Sequence, residues 1–475
     1  MNFRERVPLR RMLTASIYAS LAIGSDVGAA QLQASIPQHW VPGDRTAVAE
    51  LFRAMDAKHK TTNRLTASTF VVTSCADDGS PGTLRSVVSG AGTGDVVDLS
   101  GLSCGPINLS NGAIKIYADS LTIQGRSATD TVIGGNGADR VFVDYGYTAL
   151  VLRNVTVRDG FNEVAGYKVA AGACVVSNAI VTLDHSTVTN CKAIGEGAYG
   201  GGILSPGLYM YTSTLSYNTA QGSLLSTLTA SYGGGAFAYR GKAAVYDSTI
   251  SSNRAVGDPA GMFGTYDTGA GLFVDNGGSI SRSTISDNYT DGTGGGIATH
   301  DDFSVSDSTI SGNTANKKGG GGIFARVSHG LTIASSTIAN NTAAKGGGVY
   351  VAGHAGGGIM QSTIVANNHA TVTGDDVSSQ YGAVFAGANN LVMAATMVTL
   401  PLATLSADPM ILPLADNGGP TQTHALPPTS PAHDAGNNAT GLIVDQRGFT
   451  RVFGSAADIG AFEYAPDEIF ADGFD

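Results

Sequence analysis

The chain has 475 residues, 38 acidic against 27 basic side chains, a net charge of −11 and 65 glycines, with only 14% of residues charged. A hydrophobic share of 42% excludes a charge-rich disordered chain, and the acidic balance speaks against nucleic acid or anionic lipid as a partner, because phosphate binding needs clustered Lys and Arg. The same balance mildly disfavours polyanionic glycans, and the glycine content suits short strands joined by tight turns.

Residues 1–30 carry Arg4, Arg6, Arg10 and Arg11, then a weakly apolar run from Met12 to Ile23, then Gly28-Ala29-Ala30. That is the order of a secretory signal. No later stretch has the length of a membrane-spanning helix, so the expected product has no membrane-spanning segment. Residues 31–68 read as a linker with one short helix around Thr46 to Met55. Four cysteines follow the signal: Cys75, Cys104, Cys174 and Cys191. Export favours disulfides, and proximity favours Cys75 with Cys104 and Cys174 with Cys191, although four cysteines permit three pairings and free buried thiols are the alternative. No CxxC spacing suggests zinc, and no metal ligand set is assigned.

From Thr69 the pattern turns to period-two alternation broken by Gly, Asn and Asp, which predicts strands. Residues 69–140 contain TFVVTSCADDGSPGTLRSVV, which resembles the N-terminal cap of bacterial secreted β-helix proteins of the CSLREA and polymorphic outer-membrane-protein kind. The resemblance implies a short capping helix at Leu84-Arg85. Gly134 to Val141 fits the calcium-binding nonapeptide GGxGxDxU once; that motif works in tandem, so a Gly-rich turn is expected here.

Residues 141–400 hold a phrase repeated seven times: STVTNC from 186, STLSYN from 213, STISSN from 248, STISDN from 283, STISGN from 308, STIANN from 336 and STIVAN from 362. Copies start 27, 35, 35, 25, 28 and 26 residues apart, and a Gly knot such as Gly294-Gly295-Gly296 precedes most of them. This is a solenoid period. Alternation sends Val188, Leu215, Ile250, Ile285, Ile310, Ile338 and Ile364 to one face and the preceding Thr to the other. Asn218, Asn253, Asn288, Asn313, Asn341 and Asn367 then fall at one turn, where stacked side chains can bond the backbone of adjacent coils; Cys191 takes that place in the first copy. The fold expected is all-β, a single-stranded right-handed parallel β-helix of roughly twelve coils, each of three short strands, as in pectate lyases and many bacterial surface proteins.

Residues 401–464 include DPMILPLADNGGPTQTHALPPTSPAHDAGN, DQRGFTR and DIGAFEY, and closely resemble the choice-of-anchor Q domain of exported bacterial β-helix proteins. The resemblance, with its Pro, Gly and Asp content, implies an irregular C-terminal cap over the open end of the solenoid. Residues 465–475 resemble a short IFxDGF tail.

Chemistry would sit between the repeats. Counted from the Gly knots, Phe237, Phe273, Ala298, Phe324 and Tyr350 form one outward column, and Tyr239, Asp275, His300, Arg326 and Ala352 a second, flanked by Arg240, Asn276, Asp301 and Asp302. Aromatic faces beside polar groups suit a sugar-binding groove, while cross-coil stacking alone would explain the same stripe. A polysaccharide lyase would need a base, Arg326 or Arg240, and Asp275, Asp301 and Asp302 to hold Ca²⁺ against a uronate carboxylate. Asp184-His185 is similar to a pectate-lyase phrase; Asp247 and Asp307 stand before other Ser-Thr pairs, so Asp184 reads as a repeat residue. The paired-Arg phrase of pectate lyases and the NTD, DD, GHG and RIK set of polygalacturonases are missing. The sequence therefore points to an exported, monomeric surface protein of a Gram-negative bacterium, adhesin-like or binding a glycan or cell-surface component, with a lyase or hydrolase of uronic-acid polymers as the alternative. No cofactor other than that Ca²⁺ is implied.

Overall fold

The structure is a computed structural model that describes residues 42–59, 66–165, 169–222, 231–257, 269–326, 330–352 and 357–466. The expected signal segment, residues 31–41 and 60–65 of the expected linker, and the last nine residues of the tail lie outside them.

Two helices flank the first strand, Thr69–Val71. Helix α1 spans Pro42–Asp56, around the expected position, and helix α2 spans Leu84–Gly90, where the TLR segment implied one. Thr83 caps α2: its hydroxyl accepts from the Ser86 N–H at 3.3 Å, and Leu84 and Val88 turn inward on one helical face. Arg85 forks onto both oxygens of Asp77 at 2.8 and 3.0 Å, tying α2 to the preceding loop. Burial works against the Asp77 carboxylate, but Arg85 and the N–H groups of Asn111 and Ser110 outweigh it, and its pKa is lowered.

One coil of the solenoid runs Ala236–Ala238, Ala243–Tyr246, Thr249–Ser251 and Arg254–Val256, so it has four strand pieces rather than the expected three. The first two belong to a bent sheet of 22 strands, the third to an 11-stranded sheet and the fourth to an 8-stranded sheet. Pairing within all three is parallel: Ile250 lies opposite Leu215 on one side and Ile285 on the other. Val188, Leu215, Ile250, Ile285, Ile310 and Ile338 are fully buried in this inward column. Each such aliphatic contributes about 2 kcal/mol of burial.

Register fails the sequence reading in the last copy. Val365, not Ile364, pairs with Ile338 and faces inward. The reason lies at the preceding corner, where Ser362 (φ 47°) occupies the left-handed position held by Ser335 (φ 46°) one coil earlier, which sets every following residue one place later. Asn368 rather than Asn367 consequently ends the ladder. In that ladder Asn218 donates to Asn253 Oδ1 (3.0 Å), Asn253 to Asn288 (3.0 Å), Asn288 to Asn313 (2.9 Å), Asn313 to Asn341 (2.9 Å) and Asn341 to Asn368 (2.9 Å). Asp376 closes it, accepting from Asn368. Each amide also donates to a core-strand carbonyl of the coil before, as Asn288 does to Ile250 at 3.0 Å, so a wholly buried corner leaves no amide idle. At the other end the Cys191 N–H donates to Asn218 Oδ1 at 3.1 Å, and Cys191 is bonded to Cys174. Cys75 is bonded to Cys104.

The C-terminal part is irregular, as expected, but its position is not the expected one. The last coil is closed by Val377–Ala386, Leu391–Val392 and Ala395–Thr399. The chain that follows lies along the outer face of the 11-stranded sheet, bonding to Arg282, Thr284, Thr309, Thr337 and Ser362 on successive coils. Ile364 faces outward into this interface and packs with Ala366, Leu426, Ala432, Ile459 and Phe462. The segment contains an antiparallel pair, Leu414–Ala415 with Thr423–His424.

Candidate functional site

The first predicted column does line up. Phe237, Phe273, Ala298, Phe324 and Tyr350 are ladder neighbours on successive coils of the large sheet, pointing away from the solenoid core. They are not open to solvent, however: Phe237, Phe273, Phe324, Tyr350 and Tyr239 are all buried, Phe273 fully. Alternation decides which side of a strand a ring takes but not what lies over it. Here a second layer does. Tyr199 and Tyr232, from strands Gly197–Tyr199 and Ser231–Tyr232, stack on each other at 5.3 Å, and Tyr232 stacks on Phe273 at 5.2 Å. Phe52 of α1 stacks on Tyr239 at 5.3 Å. His300 meets the Phe273 ring edge-on, and Tyr350 stacks on Phe324. Strand Thr314–Gly319 crosses Tyr350 so closely that a Cβ on Gly319 would come within 2.7 Å of its ring. The stripe is an outer core beneath a second layer rather than an open sugar platform.

The residues proposed for a lyase are likewise not gathered into one site. Arg240 lies over the Tyr239 ring at 5.1 Å, while Arg326 is exposed three coils further on. Asp275 is buried with His300 Nδ1 3.8 Å away, whereas Asp302 accepts from the Gly330 N–H at 2.9 Å and Asp301 from the Asp302 N–H. Asp275, Asp301 and Asp302 do not form a Ca²⁺ cluster. Among the described residues, the trio that brings three ligand atoms within 4.8 Å of one another is His433, Asp434 and Asp458, in the C-terminal segment. Both Asp458 oxygens there already accept backbone N–H groups, from Asp434 and Tyr464.

Asp184 is not in the slot of Asp247 and Asp307 either. His185 is: all three hold the left-handed corner, at φ 49°, 49° and 43°. Asp184 ends its strand opposite Arg153 and Tyr211, and it is bonded to Arg153 Nε and His185 Nδ1, each at 2.7 Å. Asp139 of the single nonapeptide accepts the N–H groups of Ala113 and Arg140, which makes that stretch a turn.

An open concavity does exist, on the other limb of the large sheet. Tyr209, Ala244, Ser279, Ser304, Thr332 and Ile359 share one ladder position. Ser304, Thr332 and Ile359 of this row line a shallow trough of about 560 Å³, bordered by Gly278, Asp302, Gly330, Gly357 and Gly358. Two residues further along each strand run Asp184, Tyr211, Tyr246, Ser281 and Ser306. Tyr211 and Tyr246 stack at 5.5 Å and 7°, with Tyr211 42% exposed, so the tyrosine pair ends where Ser281 begins.

The family model described as "Right handed beta helix region" matches residues 107–395. The chain belongs to the right-handed β-helix family. One solved structure, a crystal structure of pectate lyase Pel9A, is similar at 13% identity, covering 86% of this chain and 98% of its own, with a TM-score of 0.46. No curated protein sequence matches. Within the described part of this β-helix no helix is long and apolar enough to cross a membrane. The ladder position carries a signal in the repeat: Tyr209, Ala244, Ser279, Ser304 and Thr332 each lie at one fixed distance before their Ser-Thr phrase, Ile359 falling one place nearer to Ser362 with the register shift, but counting from the Gly knots directs attention to the other limb.

Proposed function

We propose that this β-helix protein is exported by a Gram-negative bacterium, with its N-terminal part serving as a CSLREA-type cap and its C-terminal segment as a choice-of-anchor Q module. On this reading it acts as a monomeric, non-catalytic, adhesin-like protein whose trough binds a neutral glycan. The carrying observation is the trough itself, where Ser304 and Thr332 stand beside the exposed Ile359 on a glycine-bordered floor. Hydroxyls match sugar hydroxyls and an apolar side chain matches the C–H face of a pyranose. Among the described residues, Asp302 is the charged residue bordering it, and one of its oxygens already accepts from the Gly330 N–H, which favours binding over a lyase that needs a base opposite a cation site.

A glycan array tests this. Binding of neutral glycans that is lost in Thr332→Tyr, which fills the trough, supports the reading; release of ultraviolet-absorbing unsaturated products from uronic-acid polymers, dependent on Ca²⁺ and abolished in Arg326→Ala, overturns it.

A further inference from the structure

A second cavity lies at the other end of the solenoid, between α1 and the first coils. It measures about 530 Å³ and has a sharp division of character. Leu51, Ala54 and Met55 of α1 form one apolar wall and Val143 and Val176 the floor. Tyr117, stacked on Tyr145 at 5.2 Å, closes one side. Around this apolar body stand four cations, Lys58, Arg85, Lys115 and Arg140, and one carboxylate, Asp139. In a chain with eleven more acidic than basic residues, that local reversal of sign is a built feature of the pocket.

The four cations differ in how far they are already engaged. Arg85 is spent on Asp77 and on the carbonyls of Gly112 and Ala113. Arg140 uses Nε on Ala171 O at 2.9 Å and Nη2 on Asn162 Oδ1 at 2.7 Å, which holds its guanidinium at the pocket edge. Lys115 and Lys58 carry no hydrogen bond or ion pair among the described residues; Lys58 lies 5.9 Å from the Tyr145 ring centre. Asp139 spends its oxygens on the N–H groups of Ala113 and Arg140 and so does not neutralise the lysines directly.

We propose that this pocket binds an organic phosphate monoester, its phosphate between Lys115, Lys58 and Arg140 and its ring-sized body against Val143, Val176 and Met55. With Arg85 neutralised by Asp77, the three cations Lys58, Lys115 and Arg140 face the single carboxylate of Asp139, an excess that suits a dianion better than a single carboxylate, and the apolar walls favour an organic body over free phosphate. The site is separate from the trough on the other limb, and does not depend on the trough binding a glycan.

Calorimetric titration of the full chain with glucose 6-phosphate, inorganic phosphate, glucuronate and glucose tests the assignment. Glucose 6-phosphate is expected to bind, to weaken as salt rises, and to lose about tenfold in affinity in Lys115→Gln and again in Lys58→Gln, the size of one lost charge-assisted bond each. Both lysines are exposed, so thermal melts of the variants should match the parent. Binding of glucose as tight as that of its phosphate, tighter binding of glucuronate or of inorganic phosphate, or indifference to Lys115→Gln would overturn the proposal. A Thr332→Tyr variant that loses glycan binding but keeps the phosphate ester separates the two sites.

Discussion

Thr309 donates its hydroxyl to Gln446 Oε1 at 2.6 Å, a bond that spans 137 residues of sequence. The Gln446 amide in turn donates to the hydroxyls of Thr284 and Thr421 and to the carbonyl of Gln422, at 2.9 to 3.0 Å. One buried side chain therefore clamps the C-terminal segment to two coils. Removing it in Gln446→Ala strands several buried partners, each costing about 1–3 kcal/mol when unmade. The expected result is faster hydrogen exchange in residues 409–465 with exchange in the coils before Thr284 unchanged; a uniform loss across the solenoid would show the segment and the rod unfold as one.

The acidity of the same interface makes its stability pH-dependent. Burial pushes the Asp307 carboxyl up to about 7 although Arg451 and Arg282 pull it down, and burial likewise pushes Glu463 up to about 7. Arg451 and Asp445 face Asp307 from the C-terminal segment, and Arg282 from the coil before. The folded state thus keeps protons that the unfolded chain releases near pH 4, and between roughly pH 4 and 7 it binds more protons than the unfolded state. Stability of the interface should fall as pH rises through that window and level off above it. Exchange in 445–463 measured from pH 4 to 8 checks this, and Asp307→Asn should flatten part of the slope; an interface that tightens from pH 4 to 7 contradicts it.

Within the ladder, Asn288 accepts from the Asn253 backbone N–H and amide and donates to Asn313 and Ile250, all without access to solvent. Asn288→Ala leaves these groups unpaired at mid-rod. A loss of about 3 kcal/mol is expected in denaturant unfolding. Asn367→Ala, one place from the ladder and exposed, should cost only the ~1 kcal/mol of placing Ala at its left-handed φ of 58°, well short of the Asn288 loss, which tests the register shift directly.

That shift shows where sequence reading stops. The repeat, the parallel pairing and the burial of Ile250 or Ile310 follow from period and alternation, because a strand has only two faces. The residue that ends each corner is set by backbone conformation: Ser362 takes the left-handed place although the string Ser-Thr-Ile suggests Ser362 should align with Ser336. Nor does alternation see second layers. Phe273 and Tyr350 were legible as outward residues, but their cover by Tyr232 and by Thr314–Gly319 comes from chain distant in sequence or from another coil. The trough at Ser304 and Thr332 is not legible in sequence because small residues announce no chemistry until the coils stack them over a row of glycines.

The start of the ladder gives the last test. Cys191 holds the place of an Asn, and its N–H already meets Asn218 Oδ1 at 3.1 Å, so the corner is shaped for an amide. The bond to Cys174 closes a loop of 17 residues, a constraint worth roughly 3 kcal/mol in a chain-entropy account. Cys174→Ala with Cys191→Ala should lose about that much, and reducing agent should then no longer change the melting of this part of the rod. Cys174→Ala with Cys191→Asn keeps the loop open but lets an amide donate to Asn218 Oδ1, as Asn218 does to Asn253, returning about 1 kcal/mol. Equal stability of the two double variants, measured by urea unfolding, would mean that the disulfide acts only by closing its loop and that the ladder has no use for a further rung at this coil.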